Sequence, residues 1–223
     1  MPRPARSLHP GACYHLISRG NERATVFHTP LEYRRFLELI EEAQQRCHVP
    51  LLAACLMPNH FHLVVISPGR EPLCNWLQWL LTTHSHRYNV YRERVGHVWQ
   101  GRYKSFQIQN DDHLLTVMRY VERNPCRAGL VQRAENWPWG SLAWRSGRSQ
   151  GPELAEPPLA LPGAWNEWVN RPQSPTEIDA LRRCVNRQQP YGAEDWVQET
   201  AERDGMTSTL RPKGRPPARR ERL

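Results

Sequence analysis

The sequence predicts an α+β fold: a ferredoxin-like antiparallel sheet with helices, followed by a small helical C-terminal extension and a basic tail. Three observations predict it. Short apolar runs alternate with amphipathic helical patterns up to about residue 145, and Gly, Ser and Pro become frequent after Trp144. The last residues, 211–223, hold six Lys or Arg against one Glu, a composition typical of a solvated tail.

Apolar runs and helical periodicity define the elements of the first half of the chain. The predicted strands cover residues 13–18, 50–57, 61–66 and 97–109. The predicted helices cover residues 30–47, 72–94 and 111–125. The first helix has a clear start, because Thr29 and Glu32 can form a capping box and Pro30 suits the first helical turn. The resulting order, β-α-β-β-α-β, is that of a ferredoxin-like sheet, and the helix that follows would cover its other face.

Charge and composition favour some classes of protein and argue against others. The 223 residues carry 30 Lys and Arg against 22 Asp and Glu, a formal charge of +8, which suits a polyanionic partner. No apolar run reaches the roughly 20 residues needed to cross a bilayer, and the first residues lack the apolar core of a signal peptide. The six cysteines form no C-x-x-C pair, so neither a zinc knuckle nor a disulfide framework is expected. We expect a cytoplasmic, nucleoid-associated protein.

The tripeptide His60-Phe61-His62 lies at the start of a predicted strand. Successive side chains of a strand point to opposite faces, so both imidazoles would share one face. Two imidazoles side by side are two-thirds of a metal site. The same pattern also fits a pair of partly buried histidines without a ligand.

A second pair of polar residues lies on the helix predicted for 111–125. Tyr120 and Asn124 are four residues apart and therefore share a helical face. If that face covers the sheet beside His60 and His62, Asn124 could complete a site of two imidazoles and one amide. Such a nitrogen and oxygen donor set suits Mg²⁺ or Mn²⁺. The phenol of Tyr120 could then attack a phosphate polarised by the metal, leaving a 5′-phosphotyrosine and a free 3′-hydroxyl.

Several further motifs occur around these residues in a fixed order. They are Ser18–Asn21, Met57–Val64, Trp99–Ser105, Tyr120–Val131 and Glu135–Ser141. With the His-hydrophobe-His motif, they resemble the REP-associated branch of the IS200/IS605-like tyrosine transposases, over roughly residues 10–145. The resemblance implies that Tyr120 is the nucleophile, that His60 and His62 bind the metal, and that Asn124 is a third ligand. Related transposases carry Gln at the Asn124 position.

The resemblance also implies a partner: single-stranded DNA that folds into hairpins at short palindromes, with a flanking unpaired tetranucleotide as the guide for cleavage. Three stretches of the chain and the tail are candidates for contacts with it, since they combine cations, a glycine turn and an aromatic ring. The predicted DNA-binding residues are Arg19, Gly20, Asn21, Arg87, Gln100, Arg102, Tyr103, Lys104, Arg127, Arg211, Lys213 and Arg215. The last three belong to a Gly-Arg-Pro segment similar to an AT-hook, which lays Arg into a narrow minor groove.

The predicted organisation has four parts. They are a catalytic domain (1–145), a Pro- and Gly-rich linker (146–164), a helical extension (165–205) and a basic AT-hook-like tail (206–223). Two other functions remain compatible with the residues: a metal-dependent nuclease in which water attacks, and a hairpin-binding regulator without catalysis. The sequence fits a monomer or a homodimer equally well.

Overall fold

The computed structural model describes residues 7–211. In that range the strands are β1 (Cys13–Arg19), β2 (Leu51–Met57), β3 (His60–Ile66) and β4 (Lys104–Ile108). The helices are α1 (Pro30–Arg46), α2 (Arg70–Tyr91), α3 (Asp112–Glu122), α4 (Asn124–Arg127), α5 (Ser141–Arg145), α6 (Trp165–Asn170), α7 (Pro175–Arg187) and α8 (Glu194–Arg203). Residues 212–223 of the AT-hook-like tail, with Lys213 and Arg215, lie outside the described residues. None of the described helices is both long and apolar enough to cross a membrane.

The four strands form one sheet in the order β2-β3-β1-β4, and every pair is antiparallel. This is the ferredoxin-like arrangement that the element order predicts, so the predicted fold class is confirmed. The fourth strand is shorter than expected. Gly101 takes a left-handed φ of 57° and turns the chain before Lys104, so the predicted strand 97–109 pairs with β1 only over its second half.

Helices α1 and α2 cover one face of the sheet with an apolar core. Phe36 of α1 lies against Phe61 of β3, with the ring centroids 5.3 Å apart, and Leu63 and Leu77 are fully buried beside them. The start of α1 is fixed by the predicted capping box: Thr29 Oγ1 accepts from the Glu32 N–H at 3.4 Å, and the Glu32 carboxylate accepts from the Thr29 N–H at 3.0 Å.

Helix α3 covers the other face of the sheet. Its buried residues Val117, Met118 and Val121 pack with Cys55 and Val64 of the sheet in a second core. The predicted helix 111–125 stops at Glu122 and restarts as the single turn α4, where Pro125 lies in the first turn because it has no N–H to donate. The sheet thus lies between two helical layers.

The segment 146–164 contains no helix or strand. It nevertheless runs along the domain in contact with it. The Ala155 N–H donates to the Leu51 carbonyl at 2.8 Å, and Leu154 and Leu161 pack against the two cores. It leads into α6, α7 and α8, which all lie within the predicted helical extension 165–205.

Candidate active site

His60 and His62 lie on the face of β3 that α3 covers, while Phe61 points into the opposite core. The two imidazole centroids are 4.9 Å apart and their planes are nearly perpendicular, at 78°. His62 is buried and His60 is half-buried. The two-residue period of the strand therefore brings both imidazoles together, as the sequence predicts.

Each of these imidazoles is held through its Nδ1. His62 Nδ1 is 2.7 Å from Nε2 of His15 on the neighbouring strand β1, and the two rings are stacked at 4.9 Å. His60 Nδ1 donates to Asn59 Oδ1 at 2.6 Å. Within the described residues, neither His60 nor His62 makes a hydrogen bond through Nε2. A partner on one ring nitrogen fixes the orientation of a histidine and leaves the lone pair of the other nitrogen available, as in metal sites.

His15 is not among the site residues that the sequence motifs predict. One feature of the sequence could have indicated it: the period of two places His15, a polar residue, on the same strand face as the apolar residues Cys13 and Ile17. The pairing of Ile17 with His62, which brings His15 within reach, depends on β1 lying next to β3, and that order is visible only in the structure.

The three histidines are neutral at physiological pH. Burial lowers the pKa of His60 to about 3, and the positive charges of Arg19 and Arg127 act in the same direction. Burial also lowers the pKa of His15 to about 3 and holds the pKa of His62 well below its ordinary value. A neutral imidazole is the form that binds a metal.

Tyr120 faces this cluster from α3. Its ring centroid is 6.0 Å from that of His62, with the planes at 88°, and the side chain is buried except for 7% of its surface. Asn124, one turn later, is also buried, and its Oδ1 accepts from Arg127 Nη2 at 3.0 Å. Its Nδ2 is buried without a hydrogen-bond partner in the described part of the chain. The amide oxygen has a second lone pair, so a metal bound through Oδ1 would share that oxygen with Arg127.

Arg127 of α4 lies over the phenol of Tyr120, with its guanidinium carbon 4.1 Å from the ring centroid. Nη2 also donates to the Tyr120 carbonyl at 3.2 Å, and Nη1 is buried with no hydrogen-bond partner among the described residues. Burial lowers the pKa of Arg127, although a guanidinium keeps its charge at any physiological pH. A buried cation without an acidic partner suits a site that receives an anion.

Among residues 7–211, no three His, Cys, Asp or Glu side chains are grouped so that they could hold a metal ion. The donors that the structure offers at this point are therefore the two imidazoles and the amide of Asn124. These donors suit a divalent cation because both imidazoles are neutral, are held in place through Nδ1 and have free Nε2 atoms. No thiolate belongs to the set, which removes the strongest preference for zinc.

The side of α3 that faces away from Tyr120 is fixed by the C-terminal extension. The buried carboxylate of Glu122 accepts from Ser141 Oγ at 2.6 Å, from Trp165 Nε1 at 2.7 Å and from Arg145 Nε at 3.4 Å. Burial raises the pKa of Glu122, and the positive charge of Arg145 opposes that rise. One carboxylate thus ties α3 to α5 and α6.

Two arginines complete the attachment. Arg119 Nη2 donates to the Arg171 carbonyl at 2.8 Å, and its guanidinium lies 4.6 Å from the centroid of the Trp168 ring. Arg123 donates to the Val169 carbonyl at 3.2 Å and also to that of Asn170. We call this set the α3 clamp: Arg119 and Glu122 on α3 and Arg123 just after its end, with their partners in residues 165–171.

The remaining predicted DNA contacts divide between two sides of the molecule. Arg19 faces His60 in the strand register, and Gln100, Arg102 and Lys104 line a cavity beside it. Arg87 lies instead on α2, across the sheet from the histidines, in a bidentate pair with Glu42 at 2.9 Å for both bonds. Nothing in the fold brings Arg87 to the histidine site.

Two predicted contacts also have structural roles. Tyr103 is 8% exposed and packs in the α1 and α2 core, with its hydroxyl 3.5 Å from Cys74 Sγ, and it also lines the cavity beside Arg19. Gly20 is required by the protein's own backbone, since a Cβ there would lie 2.3 Å from the Ala24 carbonyl oxygen. Asn21 contributes its N–H to the Val98 carbonyl at 2.8 Å in the same turn. Arg211 is exposed at the end of the described range.

Comparison with known proteins identifies a family for this chain and a solved structure of similar fold. The family model described as "Transposase IS200 like" matches residues 10–124. A candidate REP-associated tyrosine transposase of Haemophilus influenzae is 27% identical over 112 residues, which cover 44% of this chain and 64% of the relative. The match thus spans less than two thirds of the relative's length. A solved REP-associated tyrosine transposase bound to a REP hairpin covers 70% of this chain and 94% of its own at 16% identity, with a TM-score of 0.57, a likeness of fold.

Proposed function

The chain belongs to the IS200-like transposase family, and from that membership we propose that it cuts and rejoins single-stranded DNA at hairpin-forming palindromes through Tyr120. One observation carries the proposal. The ring of Tyr120 packs 6.0 Å from that of His62. In the described chain, His60 and His62 keep their Nε2 atoms free, and Arg127, which lies over the Tyr120 ring, has no acidic partner. A phenol, neutral imidazoles and an unpaired cation together suit a phosphodiester.

The partner is proposed from the relatives. The Haemophilus influenzae protein is named for its association with REP sequences, and the solved structure of similar fold holds a REP hairpin. The excess of basic residues in this chain supports a nucleic acid of the same kind. We therefore propose hairpin-forming single-stranded DNA as the substrate.

The proposed reaction is a transesterification. Tyr120 Oη forms a bond to phosphorus, the bond from phosphorus to the 3′-oxygen breaks, and the products are a 5′-phosphotyrosine and a free 3′-hydroxyl. The phenol proton passes to solvent, and the leaving 3′-oxygen takes a proton from solvent. The 3′-hydroxyl of another strand can reverse the step, because the phosphodiester energy is kept in the tyrosine ester. Arg127, fixed against the ring of Tyr120, would hold a non-bridging phosphate oxygen and so limit the phosphate to one orientation.

His60 and His62 would hold the divalent cation, Mg²⁺ or Mn²⁺, with the amide of Asn124 as a further donor. When bound, such an ion supplies charge that stabilises the phosphate in the transition state. His15 and Asn59 hold the two imidazoles from behind, through Nδ1, so the ligands are oriented before a cation arrives. Asn124 is the adjustable donor, since its oxygen is shared with Arg127.

A denaturing gel tests the proposal directly. The full chain is incubated with end-labelled hairpin oligonucleotides that carry unpaired flanks, with Mn²⁺, with Mg²⁺ or with a chelator. We expect a protein–DNA adduct that needs the metal and is absent from Tyr120→Phe. Cutting that persists in Tyr120→Phe would instead indicate attack by water, as in a nuclease. Tight binding with neither adduct nor cutting would indicate a regulator.

A further inference from the structure

A cavity of about 560 Å³ opens beside the histidines. It lies between the end of β1, the loop that leads into β4, and the C-terminal end of α7. Its volume is within the range of about 300–1,000 Å³ that small-ligand sites occupy, which is enough for one nucleotide. Helix α7 belongs to the C-terminal extension, so this part of the chain forms one wall of the cavity.

The wall on the sheet side is positively charged. Arg19, Arg102 and Lys104 line it, and no described Asp or Glu does. None of these three cations forms an ion pair with a described residue, whereas Arg87 and Arg92 elsewhere in the molecule each bind a glutamate. The Nε of Arg19 is buried and has no hydrogen-bond partner in the described chain. Cations that face an open cavity without acidic partners attract phosphate.

The opposite wall is uncharged and polar. Asn186 and Gln188 line it at the end of α7, and their side-chain amides make no hydrogen bond to any described residue. Gln188 caps α7 in the left-handed conformation, with φ 58° and ψ 34°, which glycine or asparagine would adopt more easily. An amide presents a donor and an acceptor side by side, the pattern that pairs with the edge of a base.

The cavity lies next to the active site. Arg19, which lines it, is the register partner of His60 across the β1 and β3 pair. A strand of DNA whose phosphate lies at Tyr120 would therefore enter the cavity with a neighbouring nucleotide. The phosphate of that nucleotide would contact the cationic wall, and its base would contact the amides of Asn186 and Gln188.

We propose that this cavity binds an unpaired nucleotide adjacent to the cleavage site and that Asn186 and Gln188 recognise its base. The inference rests on the proposed function, since it takes DNA as the substrate of the same site. It gives the C-terminal extension a direct role in choosing the sequence at which the DNA is cut. Arg19, Arg102 and Lys104 supply affinity for any base, and the two amides supply the preference.

The test is a binding experiment with the full chain. Fluorescence anisotropy measures Kd for one hairpin with each of the four bases at every unpaired flanking position, and for the bare hairpin. We expect wild type to prefer one base at a position by about tenfold, the size that a good amide–base contact gives. The double variant Asn186→Ala, Gln188→Ala should lose most of that preference and bind the bare hairpin as wild type does. Gln198→Ala, an amide on α8 outside the cavity, is the matched control.

Several outcomes would overturn the inference. A double variant that keeps the wild-type base preference, or a wild type without any preference, would remove the assigned role. If the double variant is unstable by circular dichroism, the isosteric pair Asn186→Asp, Gln188→Glu replaces it: new carboxylates facing a nucleotide should weaken binding of flanked hairpins and leave bare hairpins unaffected. If the Asn186→Asp, Gln188→Glu variant bound flanked hairpins with the same Kd as wild type, the site would also be rejected. The adduct assay on wild type distinguishes failure of this inference from failure of the proposed function. A wild type that shows the base preference but forms no adduct would count against the proposed chemistry alone.

Discussion

The two faces of the sheet bury different kinds of side chain. The face under α1 and α2 is built largely from apolar and aromatic residues, such as Phe36, Phe61 and Leu63. The face under α3 buries His62, Arg119, Glu122 and Asn124 as well as apolar residues, and so holds much of the molecule's buried polarity. The first face provides stability through area removed from water. The second face buries less apolar area and so contributes less stability, but it holds ionisable groups in fixed positions.

The difference explains why the second face depends on distant parts of the chain. Apolar groups need only a close neighbour, but a buried carboxylate or guanidinium needs hydrogen bonds in defined directions. The α3 clamp supplies these bonds from residues 165–171. Substitutions on the α1 and α2 face should therefore lower mainly the stability of the fold, and substitutions on the α3 face should lower mainly the activity.

The largest effect on chemistry is expected from Tyr120→Phe. The hydroxyl forms no hydrogen bond with a described residue, so its removal should leave the unfolding midpoint close to that of wild type while the DNA adduct disappears. Activity should fall by at least about 1,000-fold, as expected when the nucleophile of a covalent mechanism is lost. Adduct assays and thermal denaturation on the same preparation measure both quantities. A large drop in melting temperature would contradict the assignment of Tyr120 to chemistry alone.

Phe36→Ala should give the opposite signature. Phe36 is fully buried in the aromatic cluster with Phe61 and Trp99, so its truncation leaves a cavity and should lower the free energy of unfolding by about 4 kcal/mol. Adduct formation per folded molecule should change less than about twofold at a temperature where the variant remains folded. Urea denaturation gives the first quantity and active-site titration the second. Leu31→Ala, at an exposed position, is a control that should be near wild type.

Arg123→Ala breaks the clamp and should affect both properties. The loss of bonds to the Val169 and Asn170 carbonyls should cost about 2 kcal/mol of unfolding free energy. If the clamp fixes the position of Tyr120, the rate of adduct formation should also fall about tenfold while hairpin Kd stays unchanged. Arg182→Ala, which removes an exposed ion pair to Asp179 on α7, is the matched control. An unchanged rate in Arg123→Ala would reduce the clamp to a stabilising contact.

His15→Phe tests the support behind the strand imidazoles. Phenylalanine keeps the ring but removes the nitrogen that lies 2.7 Å from His62 Nδ1. Loss of such a supporting bond typically weakens metal binding by about tenfold or more. Isothermal titration with Mn²⁺ would show it without any DNA, and His48→Phe, an exposed histidine outside the site, controls for the substitution itself. Equal Mn²⁺ affinity in His15→Phe and wild type would count against His15 as a positioning residue.

The smallest effect concerns pH and belongs to the apolar face. Burial alone raises the pKa of Glu32, but hydrogen bonds from the His28 and Thr29 N–H groups and from Arg92 outweigh it, so the pKa lies below its ordinary value. A depressed carboxyl pKa stabilises the fold above the unfolded-state value and loses that contribution as pH falls through the folded-state value. The stability gap between wild type and Glu32→Gln, about 1 kcal/mol at pH 7, should close below about pH 4. A gap that stayed constant down to pH 3 would rule this linkage out.

Much of the fold and the centre of the site followed from local patterns. Period two in the strand places His60 and His62 on one face, and the spacing of four places Tyr120 and Asn124 on one helical face, because those periods are properties of the backbone. The contact between Tyr120 and His62 is seen only in the structure. His15 was missed since its contact with His62 depends on which strands are neighbours. The clamp was missed for a similar reason, as its bonds join residues that are far apart in sequence. Tyr103 packs in the core and also lines the cavity beside Arg19, so its assignment to DNA stays a prediction.

The clamp also has a consequence for synthesis. Domains fold from the N-terminus as the chain emerges, so the sheet and α3 can assemble before residues 165–171 have been translated. At that stage Tyr120 can already lie beside His62, but Glu122 and Arg123 still lack Trp165 and the carbonyls that hold them. A nascent chain can therefore hold the proposed nucleophile before its helix has all its anchoring bonds. If the clamp positions Tyr120, full activity should arise only after residues 165–171 have been synthesised.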